Sequence, residues 1–92
     1  MKKPEPEEAS RMKLKLYEGV ENGTLDMRDA SRLMRKILGY PQKEYAEKVL
    51  KIAPRVLIDF ERGTGNPTLE TLQKIGSPFG LEIGFVKKQK RQ

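Results

Sequence analysis

The chain has 92 residues, of which 36% are hydrophobic and 35% charged, and its formal net charge is +6. That composition supplies one modest core. It excludes disulfides and thiolate metal sites (no Cys), histidine acid–base chemistry (no His) and any bilayer-spanning segment.

The charge is unevenly placed. The closing stretch "KKQKRQ" holds Lys87, Lys88, Lys90 and Arg91 and no acid, which leaves only +2 on the rest of the chain. A basic tail of this kind is either solubilising or an arm that contacts phosphates or a partner. The three serines have no visible activating partner, no glycine-rich phosphate loop is present, and no loop has calcium-ligand spacing. The expectation is a non-enzyme without metal or cofactor. The lysines near the start are not followed by an apolar stretch, so they do not make a secretory signal.

In chain order, residues 1–7 are charged and proline-spaced and are expected to be disordered. Over 8–23, Ala9, Met12, Leu16 and Tyr17 recur at helical spacing and predict an N-terminal helix, which "ENG" closes. Thr24 or Asp26 then caps a second helix whose broad apolar stripe runs through Met27, Ala30, Leu33, Met34, Ile37 and Leu38, with Gly39 as its stop. Pro41 opens "PQKEYAEKVL", with Tyr45, Ala46 and Val49 inward; small Ala46 permits close approach of another helix. After "KIA", Pro54 starts and Gly63 ends "PRVLIDFER", with Leu57 and Phe60 inward. Thr68 caps "TLETLQKI", with Leu69, Leu72 and Ile75 inward. The segment 81–86, "LEIGFV", alternates and predicts a strand with Leu81, Ile83 and Phe85 on one face. A single strand leaves its backbone groups unpaired, so a second copy of the chain is the expected partner; a loose tail packed on helices is the alternative.

Two short helices across a tight turn make a helix-turn-helix. The stretch "QKEYAEKV…APRVLIDFERGTGNPTLETLQKI" resembles the lambda-repressor/Cro-like, or xenobiotic-response-element (XRE), helix-turn-helix superfamily. Gln42, Ala46, the Leu57/Phe60 pair, "ERG" and "NPTLETL" carry the likeness. The ending in "LEIGFV" is similar to HipB-like antitoxins. The resemblance therefore implies an all-α helix-turn-helix bundle over 24–80, with an extra N-terminal helix ahead of it. A dimerisation strand at 81–86, pairing across a homodimer through Leu81, Ile83 and Phe85, and a basic tail at 87–92 would follow. The sequence departs from the family at "VLKIA", which lacks the usual Gly and is one residue longer. Either the turn is wider or the first motif helix is longer.

In such a motif the second helix enters the major groove. Aligned on "FERG", the base-contacting candidates are Pro54, Arg55, Val56, Ile58 and Asp59. Arg55 matches guanine, Ile58 a thymine methyl, and Asp59 either cytosine or a neighbouring arginine. Val56 is expected to be half-buried against the Tyr45 helix. The phosphate-contacting candidates are Gln42, Lys43, Thr64 and Asn66. The resemblance also implies a structural ion pair between Arg35 and Glu61. Its functional implication is a bacterial, cytoplasmic, nucleoid-associated repressor that binds an inverted-repeat operator in double-stranded DNA. It would be the antitoxin of a toxin–antitoxin operon, with a HipA-like kinase as the possible toxin. A stand-alone or phage-derived regulator and a protein-interaction module on the same scaffold are the other readings.

Overall fold

The computed structural model describes residues 3–87. The remainder of the basic tail, residues 88–92, therefore lies outside the described residues. Five helices, one of them partly π-helical, and one 3-10 turn make up the regular structure among them.

Helix α1 spans Pro6–Glu21, two residues ahead of expectation at its start. Pro6 occupies the first turn, where its missing N–H costs nothing, and Glu7 and Glu8 complement the helix dipole there. The helix packs on its own domain. Leu16 is fully buried, and a side chain at Gly19 would have its Cβ 2.7 Å from Leu25 Cβ. Tyr17, 41% exposed, donates its hydroxyl to the Phe79 carbonyl at 3.0 Å and ties α1 to the far end of the chain.

Helix α2 is Met27–Leu38. Of the two candidate caps, Asp26 takes the role: its carboxylate accepts from the Asp29 N–H at 2.9 Å. Gly39, in the left-handed region, closes the helix. Ala30, Ser31, Met34 and Ile37 are buried, as an apolar stripe at this spacing requires.

Helix α3 is Gln42–Glu44 and runs on without a break as a π-helix, Tyr45–Leu50. The i→i+5 pattern widens this stretch of helix and leaves Tyr45, Ala46 and Leu50 all buried. Lys51, at φ 60°, then makes the left-handed turn for which a glycine is better suited. The Lys51 and Ile52 N–H groups both reach back to the Ala46 carbonyl.

Helix α4, Pro54–Arg62, follows, and Gly63 ends it at φ 86°. Helix α5, Leu69–Gly76, is capped by Thr68 Oγ1, which accepts from the Thr71 N–H at 3.1 Å. Ile75 is buried, but Leu69 is 59% exposed rather than inward, because the first turn of α5 leads the apolar stripe past the edge of the core. The 3-10 turn Ser77–Phe79 buries Phe79.

The expected strand does not form in this chain. Residues 81–87 have no regular structure. A strand exists only through its ladder, and the described residues offer none to pair with. Leu81 lies against Gly76 and is half-buried with Ile83, whereas Phe85 is fully exposed and Val86 90% exposed. The observed architecture is an all-helical bundle.

Candidate nucleic-acid interface

The outward face of α4 follows from its geometry. Leu57, Phe60 and Glu61 are buried and define the inward direction. At 100° per residue, Arg55, Asp59 and Arg62 then point away from the core, and Val56 and Ile58 fall on opposite flanks. The flanks differ from the sequence expectation. Val56 is 36% exposed and lines a small cleft of about 120 Å³ with Asp59, Phe60 and the loop Thr64–Pro67, while Ile58 is the half-buried one. Val56 thus lies on the loop side of α4.

Arg55 is 81% exposed, and its Nε lies 3.5 Å from Asp59 Oδ1, one turn on. An exposed pair of this kind contributes little stability; it biases the arginine's direction. Pro54 starts the helix and is half-buried, on the side of Leu57 and Glu61 rather than of Arg55.

The other end of α4 is held from within. Glu61 is 2% exposed, and its carboxylate accepts from Arg35 Nη2 at 2.8 Å, Arg35 Nε at 3.1 Å, Ser31 Oγ at 2.6 Å and Gln42 Nε2 at 2.9 Å. Arg35 is itself 11% exposed, so the ion pair is buried and bidentate. Burial pushes the Glu61 carboxyl up, but the hydrogen bonds from Arg35, Ser31 and Gln42 and the Arg35 charge outweigh it and hold the group below the usual carboxylate range. Beside this network the Tyr45 hydroxyl is buried without a hydrogen-bond partner among the described residues. Burial first, and the Glu61 charge second, push it up to about 12, against the opposing charge of Arg35.

The structure therefore brings Gln42, Arg35 and Glu61 together, and adds two residues that sequence reasoning missed. Ser31 sits on the buried stripe of α2, where its hydroxyl reaches Glu61. Arg32 Nη2 donates to the Glu61 backbone carbonyl. The one signal for the second was the spacing of Arg28, Arg32 and Arg35 on a single helix face.

Gln42 stands at the start of α3 with one amide hydrogen committed to Glu61 and the other without an acceptor among the described residues. Lys43 beside it is exposed. In the loop after α4, the Thr64 N–H and hydroxyl both donate to the Asp59 carbonyl, at 2.9 and 3.3 Å, so the hydroxyl proton is engaged in closing the helix. Asn66 is exposed, and its side chain makes no hydrogen bond to the described residues. Among the described residues no group of three or more acids could hold a metal ion, and no helix is long and apolar enough to cross a membrane.

The arrangement can do one thing well: present a short helix, rigidly held at its far end, with an arginine and a carboxylate on its free face. A family model described as helix-turn-helix matches residues 32–86, more than half of the chain. No curated protein and no solved structure matches it. With α3 and α4 as the two motif helices, the chain belongs to the XRE-type, lambda-repressor/Cro-like helix-turn-helix family of DNA-binding transcription regulators.

Proposed function

We propose that this protein is a dimeric, sequence-specific repressor of the antitoxin type, which binds an inverted-repeat operator in its own promoter. The observation that carries the reading is the asymmetry of α4: its C-terminal end is locked by Glu61, while Arg55, paired with a half-exposed Asp59, stands exposed on the opposite face. Arg55 reads guanine through its planar fork, and Asp59 either steadies it or accepts from cytosine. Pro54, Val56 and Ile58 frame this face, the two apolar side chains lying near enough to the surface to meet a thymine methyl. Gln42, with its second amide hydrogen, Lys43, Asn66 and, after rotation of its hydroxyl, Thr64 contact phosphates and set the register.

The dimer forms where Leu81–Val86 pairs with its twofold mate, covering Ile83 and Phe85. What supports this is the alternating segment itself, which has exposed apolar side chains and no ladder among the described residues. Half-sites then lie about 34 Å apart or a multiple of it. A HipA-like kinase is the proposed toxin, by resemblance alone. A reading frame for such a kinase beside this one distinguishes an antitoxin from a stand-alone regulator.

The test is binding to DNA from the protein's own upstream region, with footprinting and salt titration. The expected result is a protected inverted repeat and affinity that falls steeply with salt. Flat salt dependence with no preference over random duplex sinks the proposal and favours an interaction module. For the dimer, replacing Ile83 and Phe85 together by Asp should give a monomer by analytical ultracentrifugation; a double variant that stays dimeric excludes this interface.

A further inference from the structure

Helix α2 carries Arg28, Arg32 and Arg35, spaced four and three residues apart, so the three lie on one face. All three reach the C-terminal end of α4. Arg35 takes the Glu61 carboxylate, Arg32 the Glu61 backbone carbonyl, and the Arg28 guanidinium lies over Gly63. A Cβ at Gly63 would fall 2.3 Å from Arg28 Nη1, so the absence of a side chain there leaves the space that the guanidinium occupies. Two acids at the start of α2 steer these arginines: Asp29 Oδ1 lies 2.8 Å from Arg32 Nη1, and Asp26 Oδ2 lies 3.4 Å from Arg28 Nη2.

A helix ends with carbonyls that have no partner within it and with partial negative charge. In α4 the Asp59 and Phe60 carbonyls are taken by the backbone N–H groups of Gly63 and Thr64. The Glu61 carbonyl is taken by Arg32. We propose that Arg32 is a positioning residue for DNA reading: by holding the last turn of α4 through its backbone, it sets the direction in which Arg55 and Asp59 are presented. The proposal rests on α4 being the groove-reading helix. This hold differs from that of the Arg35–Glu61 pair because it acts on a group that does not titrate, and so it persists when the Glu61 carboxylate is protonated.

The lever is sensitive. Nine residues make a helix about 13 Å long, so a tilt of ~10° about the C-terminal end moves the N-terminal end by about 2 Å. That exceeds the tolerance of a hydrogen bond to a base edge. Arg32 keeps unused N–H groups, so a direct phosphate contact is the competing role, and the two roles differ in salt dependence. Losing a phosphate contact lowers the slope of log affinity against log salt by about 0.9 for each protomer bound; losing a positioning contact leaves the slope alone.

The experiment selects duplexes from a random pool with the full-length protein. It then measures affinity for the best duplex and its single-base variants across a salt series, at a temperature where every protein is folded by circular dichroism. Arg32→Gln should lose about tenfold in discrimination between the best duplex and its variants at unchanged salt slope, and Asp29→Asn should lose less in the same direction. Full discrimination in Arg32→Gln, or a slope lowered by about 0.9 for each protomer bound, overturns the positioning role. A wild-type protein that selects no duplex instead overturns the reading of α4 itself, which separates the two failures.

Discussion

The two ends of α4 are built on opposite principles. At its C-terminal end Glu61 is 2% exposed and receives hydrogen bonds from three side chains on α2 and α3, with Gly63 closing the helix. At its N-terminal end no side chain caps the helix, and Arg55 is 81% exposed with one long ion pair to Asp59. The contrast teaches how a nine-residue helix, too short to be stable alone, can hold an exposed face steady. Tertiary contacts fix one end and leave the other exposed; in the proposed function, stability and recognition are thereby assigned to different residues of one helix.

The largest blow to this division is Glu61→Ala. It leaves Arg35 charged, buried and without its partner, and should cost about 3–5 kcal/mol of stability, seen as a lower melting temperature together with weakened DNA binding. An unchanged melting temperature would show that the two ends do not differ as described.

The same carboxylate gives a pH signature. Its folded value lies below its ordinary one, so its contribution to stability is present above the ordinary carboxylate range and is lost as pH falls through the folded value. Denaturant titrations of the wild type should show this acid loss, and Glu61→Gln should lack that part of it.

Arg55→Ala attacks the other end. It should keep stability, from denaturant unfolding, within about 0.5 kcal/mol of wild type and cost about 1–3 kcal/mol of discrimination at one base pair of a selected duplex. Equal losses in stability and binding would break the comparison from that side.

Smaller effects sharpen it. Lys51→Gly relieves a left-handed turn just ahead of α4 and should raise stability by about 1 kcal/mol in urea unfolding. Tyr45→Phe removes a buried hydroxyl that has no partner among the described residues and should be neutral or slightly stabilising near pH 7. In the wild type the raised hydroxyl value means that this group's stability is intact below pH 10 and is lost as pH rises towards about 12. The phenylalanine variant should lack that alkaline loss, as difference melting curves would reveal.

Much of the bundle was legible because its signals lie within a turn or two of chain. Asp26 and Thr68 cap by bonding N–H groups three residues on, and Gly39 and Gly63 stop helices that would otherwise run further. Leu57 and Phe60 read as inward from spacing alone, and they are buried. The missing turn glycine was visible too, and Lys51 takes the left-handed position there; the π-helix ahead of it was not, since a wider turn and a longer helix fit the same sequence. Val56 and Ile58 lie at equal angles from the inward direction, so periodicity could not rank their burial; the loop 64–67 and the packing of neighbouring helices decided it.

By itself the sequence determined the number and order of helices, their stops, the Thr68 cap, and the inward pair of α4. These depend on local geometry and on the apolar period. Only the tertiary structure decided that Gln42 spends an amide hydrogen on Glu61, that Ser31 and Arg32 join the hold on α4, and that α1 packs on its own domain. Those contacts link residues some 19 to 30 apart in the chain or different helices altogether. The alternation of "LEIGFV" marks a segment suited to a ladder, and a ladder requires a second strand that the described chain does not contain. Local pattern specifies what a segment can become; which partner completes it is settled only when distant surfaces are brought into contact.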